Sequence, residues 1–228
     1  MIHDDVRFFP IGDSALTVEF GTIVSRDLND RAIALSQFLE ITKFDGFIES
    51  VPAYASTSVF YDIRAVRDAH PDAFTAFDAV KADLLHALQE IGDVSTPPRE
   101  AIDIPVIFGG SAGPDLASLA ESRSLTAEQV IEIFTSTTYR VYMLGFLPGF
   151  TYMGEVDERI AAPRRSSPRT AVAAGSVGIA ARQTGIYSLE SPGGWNIIGR
   201  TNLPMFTPAA EQLTHLKAGD EVRFIPAG

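Results

Sequence analysis

Short apolar runs alternate with longer periodic segments along the first half of the chain. Four runs have the length and composition of strands: 6–10, 16–20, 47–51 and 56–61. Apolar residues at helical spacing follow Ser25, a typical N-cap, and follow Pro71, since proline is favoured in the first turn of a helix. The order β-β-α-β-β-α predicts a small sandwich of a sheet covered by two helices.

The second half starts with an apolar strand at 102–108 and then becomes rich in short β-like runs. A short helix is predicted near 115–122 and a longer one at 126–135, where Thr126 and Gln129 have the pattern of a capping box. From Arg140 onward, Gly and Pro turns separate short strands, which predicts a barrel or a sandwich.

Two adjacent prolines mark a linker at 93–100, because paired prolines cannot continue a helix and favour an extended chain. We therefore place an α+β domain at 1–95 and a β-rich domain at 99–228. The chain has 228 residues, of which 46% are hydrophobic, enough for a core in each domain.

Composition excludes several classes of function. The net charge of −11 argues against a general affinity for nucleic acid or anionic membranes. Without cysteine there is no disulfide, thiolate nucleophile or Cys-ligated metal, and the four histidines are scattered, so no metal site is predicted. No signal-peptide pattern and no membrane-length apolar run is present, and we expect a soluble, cytoplasmic protein.

The charge is unevenly distributed. Residues 1–98 carry 7 Lys/Arg against 16 Asp/Glu, whereas 139–200 carry seven Arg against four acidic residues. The planar fork of the Arg guanidinium suits carboxylates and phosphates. The cluster therefore indicates an anion-binding surface, or else pairing with the acidic first half.

Four short stretches could carry chemistry. The segment 145–150, GFLPGF, predicts a tight turn or a ligand-binding loop, and 163–169 is a basic loop. The segment 174–179, AGSVGI, could present backbone N–H groups to an anion. In 190–195, ESPGGW, the glycines would let the backbone approach a ligand, and Trp195 would form an apolar wall of the site. The alternative is a β-turn in which Trp195 is a core residue.

Standard catalytic and nucleotide motifs are missing. Neither the phosphate-loop pattern nor the dinucleotide-binding glycine pattern occurs, and no histidine falls within 139–200. General acid–base work would have to use Glu190, Asp157, Tyr139, Tyr187 or a group of the substrate.

Read together, three segments resemble one family closely: YRVYMLGFLPGFTYMG at 139–154, APRRSSPRTAVAAGSVGIA at 162–180 and QTGIYSLESPGGWNIIGRT at 183–201. The family comprises the B subunit of bacterial 5-oxoprolinase, allophanate hydrolase subunit 1 and the kinase inhibitor KipI. The motifs PIGDSAL at 10–16 and VPAY at 51–54 extend the resemblance to the first half.

The resemblance implies an α+β protein with a cyclophilin-like β-barrel after the small N-terminal domain. It implies a non-autonomous subunit that, with a C subunit of related fold and an A subunit, opens the lactam 5-oxoproline to glutamate at the expense of ATP. Two alternatives within the family are inhibition of a sensor histidine kinase and a carboxyltransferase role in urea or allophanate metabolism.

Two positions depart from the family's pattern. Many relatives have His at the position of Phe134 and Pro at that of Ala173. Loss of a catalytic His would put activity in doubt, although Phe134 could instead lie on the buried face of the predicted helix.

The predicted site combines residue type with motif position. Catalytic roles are predicted for Arg140, Arg169, Glu190 and Tyr187. Substrate-binding roles are predicted for Gly149, Phe150, Arg164, Gly175, Ser176, Gln183, Gly193, Gly194, Trp195 and Arg200. Replacing Arg169 with Ala is expected to abolish activity of the complex while leaving the fold intact.

Overall fold

The computed structural model describes residues 6–92 and 100–227. Cα packing divides the chain into two compact units, 1–97 and 98–228. The predicted linker lies outside the described residues except for Glu100. None of the helices in the described ranges has the length and apolar character needed to span a membrane.

The first unit is a four-stranded antiparallel sheet with helices packed against it. The order in the sheet is β1-β2-β4-β3. Its elements are β1 (Arg7–Pro10), β2 (Ala15–Glu19), α1 (Arg26–Ile41), β3 (Phe47–Ala53), β4 (Ser56–Tyr61), α2 (Ile63–Ala69) and α3 (Ala76–Ile91). The four predicted strands and the helix after Ser25 are confirmed, and the Ser25 side chain accepts a hydrogen bond from the Leu28 amide.

The helix after Pro71 differs from the prediction. A short helix, α2, precedes Pro71, and α3 begins only after Thr75, whose side chain forms a capping box with Asp78. Pro71 therefore lies in the turn between two helices. Phe74, the first of the apolar residues at helical spacing after Pro71, is outside the helix and 91% exposed.

The second unit is built around a closed seven-stranded barrel, which confirms the predicted β-barrel. Strand order is β10-β7-β6-β13-β5-β12-β9, with β13 parallel to β5 and the other pairs antiparallel. The strands β8 and β11 form a separate two-stranded sheet. The elements are β5 (Ile102–Phe108), α4 (Leu116–Ser122), α5 (Ala127–Thr135), β6 (Thr138–Leu144), β7 (Thr151–Gly154), β8 (Arg169–Val172), β9 (Ser176–Ala180), β10 (Gln183–Ile186), β11 (Ser191–Gly193), β12 (Asn196–Arg200) and β13 (Glu221–Pro226).

Helix α5 packs on the barrel through Phe134. The predicted capping box of Thr126 and Gln129 is present. Phe134 is fully buried, and its ring lies 4.9 Å from that of Phe224 and 5.1 Å from that of Tyr139. Phe134 is therefore a core residue on the buried face of the helix.

Candidate functional site

A pocket of about 240 Å³ lies beside strand β7 and the β8–β11 sheet. It brings together the segment 145–150, the basic loop, Tyr187 and the segment 190–195, which are far apart in sequence. Its lining residues are Phe146, Phe150, Tyr152, Arg164, Pro168, Tyr187, Pro192, Gly193, Gly194 and Trp195.

Aromatic rings packed edge to face form the wall. The Phe150 ring lies 4.8 Å from that of Tyr152, 5.1 Å from that of Tyr187 and 5.6 Å from that of Trp195. This geometry suits the quadrupoles of the rings. Phe150, Tyr187 and Trp195 are buried, so their packing fixes the shape of an apolar wall that can cover a flat ligand.

Two glycines leave the space that the aromatic wall and the neighbouring strand occupy. A Cβ on Gly193 would lie 2.3 Å from the Tyr187 hydroxyl, and one on Gly185 would lie 2.4 Å from the Thr151 carbonyl oxygen. These contacts are shorter than van der Waals contact, so neither position accommodates a side chain. At Gly193 the missing side chain admits an aromatic ring of the protein itself, whereas Gly194 lines the open pocket.

The turn 145–150 joins β6 to β7 and supplies Phe146 and Phe150. The Gly145 amide donates to the Phe150 carbonyl at 3.2 Å, which closes the turn as predicted. Gly149 has φ +77°, and a Cβ there would lie 2.7 Å from the Met205 carbonyl oxygen, so this position requires glycine.

Arg164 is the cation of the pocket. It is exposed, and within the described part of the chain no carboxylate pairs with it. The backbone on both sides is held: Asn196 donates to the Pro163 carbonyl at 2.8 Å, and the Arg165 amide donates to the Gly194 carbonyl at 2.8 Å. The guanidinium is therefore carried by an anchored backbone and is available to an anionic ligand.

The two pocket phenols stay protonated at neutral pH. Burial raises the pKa of the Tyr152 and Tyr187 hydroxyls, and the positive charge of Arg164 opposes that shift at both. A protonated phenol donates a hydrogen bond rather than acting as a base. The Tyr187 hydroxyl is therefore available as a hydrogen-bond donor and not as a base.

Arg165 and Arg169 are not among the lining residues of the pocket, and both bind the carboxylate of Asp115. Arg165 Nη1 donates to Asp115 Oδ1 at 2.7 Å, and Arg169 makes a bidentate contact with both oxygens at 2.7 and 2.8 Å. Burial acts to raise the pKa of Asp115, but hydrogen bonds from Arg169 and from the Ile197 amide, with both Arg charges, bring it below the ordinary value. Replacing Arg169 with Ala would remove the bidentate partner of the buried Asp115 carboxylate, so the variant is expected to lose stability. The sequence alone predicted instead that this replacement would leave the fold intact.

The other two predicted arginines are outside the pocket. Arg140 is buried on β6, with Nη1 3.7 Å from Oε1 of Glu221. Arg200 is exposed and donates Nε to the Ala174 carbonyl at 2.9 Å. Of the four arginines predicted at the site, only Arg164 lines the pocket.

In the segment 174–179, predicted as a possible anion-binding loop, two backbone amides already have partners within the protein. The Gly175 amide donates to the Tyr187 carbonyl at 2.6 Å and the Ser176 amide donates to the Ala173 carbonyl, so neither is available to a ligand. Ser176 and Gln183 lie on the barrel strands β9 and β10, and Gly175 directly precedes β9. Glu190 is exposed before β11 and is not among the lining residues of the described structure.

Sequence reasoning missed Asp115 and Tyr152. Tyr152 lies two residues after Phe150, just beyond the segment 145–150, and an aromatic residue so close to that segment could have been identified from sequence. Asp115 lies 50 and 54 residues from its Arg partners, and no local pattern signals that contact. Among the described residues, no group of three or more His, Asp or Glu is arranged to hold a metal ion.

The sequence places this chain in a known protein family. Residues 6–216 match the family model described as carboxyltransferase domain, subdomain C and D, and the chain belongs to this family. Among its relatives are proteins named as the B subunit of 5-oxoprolinase. That of Bacillus subtilis (strain 168) is 44% identical over 216 residues, covering 94% of this chain and 90% of the relative. That of Escherichia coli O157:H7 is 38% identical over 220 residues, covering 96% and 95%.

Solved structures agree with this family and confirm the resemblance carried by the motifs. TTHA0988 is 34% identical with a TM-score of 0.81, and the match covers 98% of this chain but 41% of that one. PH0987 from Pyrococcus horikoshii is 41% identical with a TM-score of 0.55, covering 97% of both chains. The urea amidolyase of K. lactis shares the fold at 21% identity and a TM-score of 0.74, where this chain spans 15% of the larger one.

Proposed function

We propose that this chain is the B subunit of an ATP-dependent 5-oxoprolinase, the complex that opens 5-oxoproline to L-glutamate. The observation that carries the proposal is similarity over nearly the full length of two proteins of that name, at 44% and 38% identity. The pocket adds a physical argument for the class of substrate.

A small lactam acid fits the chemistry of the pocket. 5-Oxoproline has a compact ring that can pack against aromatic faces and a carboxylate that needs a cation. The wall of Phe150, Tyr152 and Trp195 offers aromatic faces for the ring, and Arg164 offers a cation for the carboxylate. The protonated hydroxyl of Tyr187 could donate to a carbonyl oxygen of the ring.

The pocket binds and orients but does not hold a complete catalytic set. Its lining residues include no Ser, Cys, His or carboxylate, so it offers no nucleophile with an adjacent base. We therefore propose that groups from partner subunits complete the reaction. This agrees with a non-autonomous enzyme subunit.

ATP does not fit this pocket. A triphosphate with its metal needs several donors and a carboxylate ligand, whereas Arg164 is the one cation among the lining residues. The amides of Gly175 and Ser176 are occupied by carbonyls of the protein. We therefore assign ATP to the complex, outside this pocket.

Partner subunits are expected from the same resemblance. The proposed complex contains a C subunit and an A subunit, with a small lactam or amide as substrate. In TTHA0988 and in the urea amidolyase the matched region is part of a longer chain, which supports a module that works beside others.

The deciding experiment is reconstitution. The chain is co-expressed with A and C subunits from the same genome, and ATP-dependent release of glutamate from 5-oxoproline is measured with and without this chain. Activity that requires the chain supports the proposal. A stable complex without activity would point to another amide substrate, and failure to form a complex would favour the kinase regulator.

Replacement of Arg164 with Gln tests the pocket itself. Loss of a charge-assisted hydrogen bond is expected to raise KM for 5-oxoproline in the reconstituted complex by ~10- to 100-fold. The matched control is Arg123→Gln, since Arg123 is exposed at the end of α4 and does not line the pocket. An unchanged KM in Arg164→Gln would remove Arg164 from substrate binding.

A carboxyltransferase role is the second candidate, favoured by the description of the matching family model. It predicts transfer of a carboxyl group to or from a biotinylated carrier, with no release of glutamate from 5-oxoproline. Incubation of the complex with carboxybiotin labelled in its carboxyl group and with urea as acceptor, scored for label transferred from biotin to urea beside the glutamate assay, separates the two functions.

A further inference from the structure

The carboxylate of Asp115 is buried, does not line the pocket and accepts hydrogen bonds on both of its oxygens. Asp115 is 3% exposed. Besides its contacts with Arg165 and Arg169, its Oδ2 accepts from the Ile197 amide at 2.7 Å. Four hydrogen bonds from three residues, two in the basic loop and one on β12, thus converge on one side chain.

The backbone places Asp115 against strand β12. Its amide donates to the Ile197 carbonyl at 2.9 Å. Gly113, two residues earlier, lies so close to β12 that a Cβ there would be 2.0 Å from the Ile198 carbonyl oxygen. Main-chain contacts, independent of either Arg, therefore fix the position of the carboxylate.

The groups bound to Asp115 are sequence neighbours of the pocket lining. Arg165 follows Arg164, and Arg169 follows Pro168. Ile197 comes two residues after Trp195. One buried carboxylate thus connects the basic loop, whose last residue begins β8, to the start of β12. The neighbouring residues Arg164, Pro168 and Trp195 line the pocket.

We propose that Asp115 is the positioning residue of the pocket, holding the basic loop so that the guanidinium of Arg164 faces the ring wall at Trp195. Asp115 does not touch the ligand. It acts through Arg165 and Arg169, which explains why these two arginines of the basic loop turn inward while Arg164 stays exposed. The identity of the ligand rests on the proposed function, but the positioning does not.

Two variants test the positioning. Asp115→Asn removes the charge at the centre of the cluster. Arg165→Gln removes one arm only, and Asp115 keeps its contacts with Arg169 and Ile197, so this variant is expected to fold. The matched control is Asp103→Asn, which breaks an exposed bidentate pair with Arg223 in the same barrel, away from the pocket.

Hydrogen exchange and kinetics are measured on the same samples. We expect exchange of the segment 163–170 to rise in both variants and to stay at the wild-type level in Asp103→Asn. In the reconstituted complex, KM for 5-oxoproline is expected to rise ~10-fold or more in both variants, as for a misplaced binding group, with a smaller change in kcat. A purely structural role would lower thermal stability and leave KM of the folded complex unchanged.

The two measurements separate the two proposals. Wild-type exchange of 163–170 in a folded Arg165→Gln variant, or a wild-type KM with raised exchange, overturns the positioning role. Absence of glutamate release from the wild-type complex overturns the proposed function instead. In that case the exchange experiment alone decides on Asp115.

Discussion

At the scale of single residues, the pocket depends on missing side chains as much as on aromatic ones. Replacing Gly193 with Ala is expected to destabilise the protein by about 1–3 kcal/mol, because the new Cβ would lie 2.3 Å from the Tyr187 hydroxyl. The fluorescence emission of Trp195, the single tryptophan, should shift because displacement of Tyr187 would disturb the aromatic wall around it. Thermal unfolding and fluorescence measure the two effects.

The adjacent glycine is a matched control for this prediction. A Cβ on Gly194 would meet nothing closer than 3.7 Å, at the Pro168 ring. Gly194→Ala should therefore keep wild-type stability within about 0.5 kcal/mol. Equal losses at both positions would mean that backbone freedom, rather than the contact with Tyr187, explains the need for glycine in the wall.

Residue types were predictable from sequence where they cluster in a motif, and roles were not where partners are distant. Phe150, Gly193 and Trp195 stand out locally, and each lies in the pocket. Arg164 and Arg169 look alike in the sequence, five residues apart in one basic loop. Only the contact of Arg169 with Asp115 distinguishes a structural cation from Arg164, which lines the pocket.

At the scale of elements, α5 depends on one buried ring. Replacing Phe134 with Ala should destabilise the barrel unit by ~3–5 kcal/mol, since the cavity would open among Phe224, Tyr139 and Phe108. Chemical denaturation measures this loss. Glu132→Ala, exposed on the same helix, is the control and should be nearly neutral.

The same substitution bears on the departure from the family at this position. Phe134 lies in the barrel core and is not among the residues that line the pocket. We therefore expect the folded fraction of Phe134→Ala to keep its KM for 5-oxoproline in the complex. A large change in KM would indicate that position 134 takes part in substrate binding or catalysis after all.

Elements with a local signal were predicted well, and those defined by tertiary pairing were not. The strand at 102–108 and the capping box at Thr126 follow directly from apolar pattern and cap chemistry. The short helix α2 was missed because Pro71 resembles a helix start, whereas the cap that begins α3 is Thr75. The pairing of β8 with β11 joins segments about twenty residues apart, and no turn motif announces it.

At the scale of the whole molecule, most arginines of the 139–200 cluster pair with acidic residues of the barrel unit itself. Arg165 and Arg169 bind Asp115, Arg182 binds Glu155 and Glu158, and Arg223 binds Asp103. These pairs account for much of the positive cluster seen in the sequence. Pairing of the cluster with the acidic first half is therefore not needed to explain it.

Each unit also has its own hydrophobic core, which predicts independent folding. The barrel closes with strands from 102–226 alone, and its core extends from Ile104 to Phe224. A fragment of residues 98–228 should therefore unfold cooperatively, with Trp195 as buried as in the full chain. Urea unfolding followed by Trp195 fluorescence, compared between fragment and full chain, measures this.

The behaviour of the fragment has a direct consequence for the proposed function. If the fragment unfolds cooperatively with native-like emission, the pocket is a property of the barrel, and Arg164→Gln can be interpreted there without reference to the first unit. A fragment that lacks a cooperative transition would mean that the pocket needs the first unit for its structure. In that case the first unit would contribute to substrate binding by stabilising the pocket. Variants in both units would then have to be tested in the assembled complex.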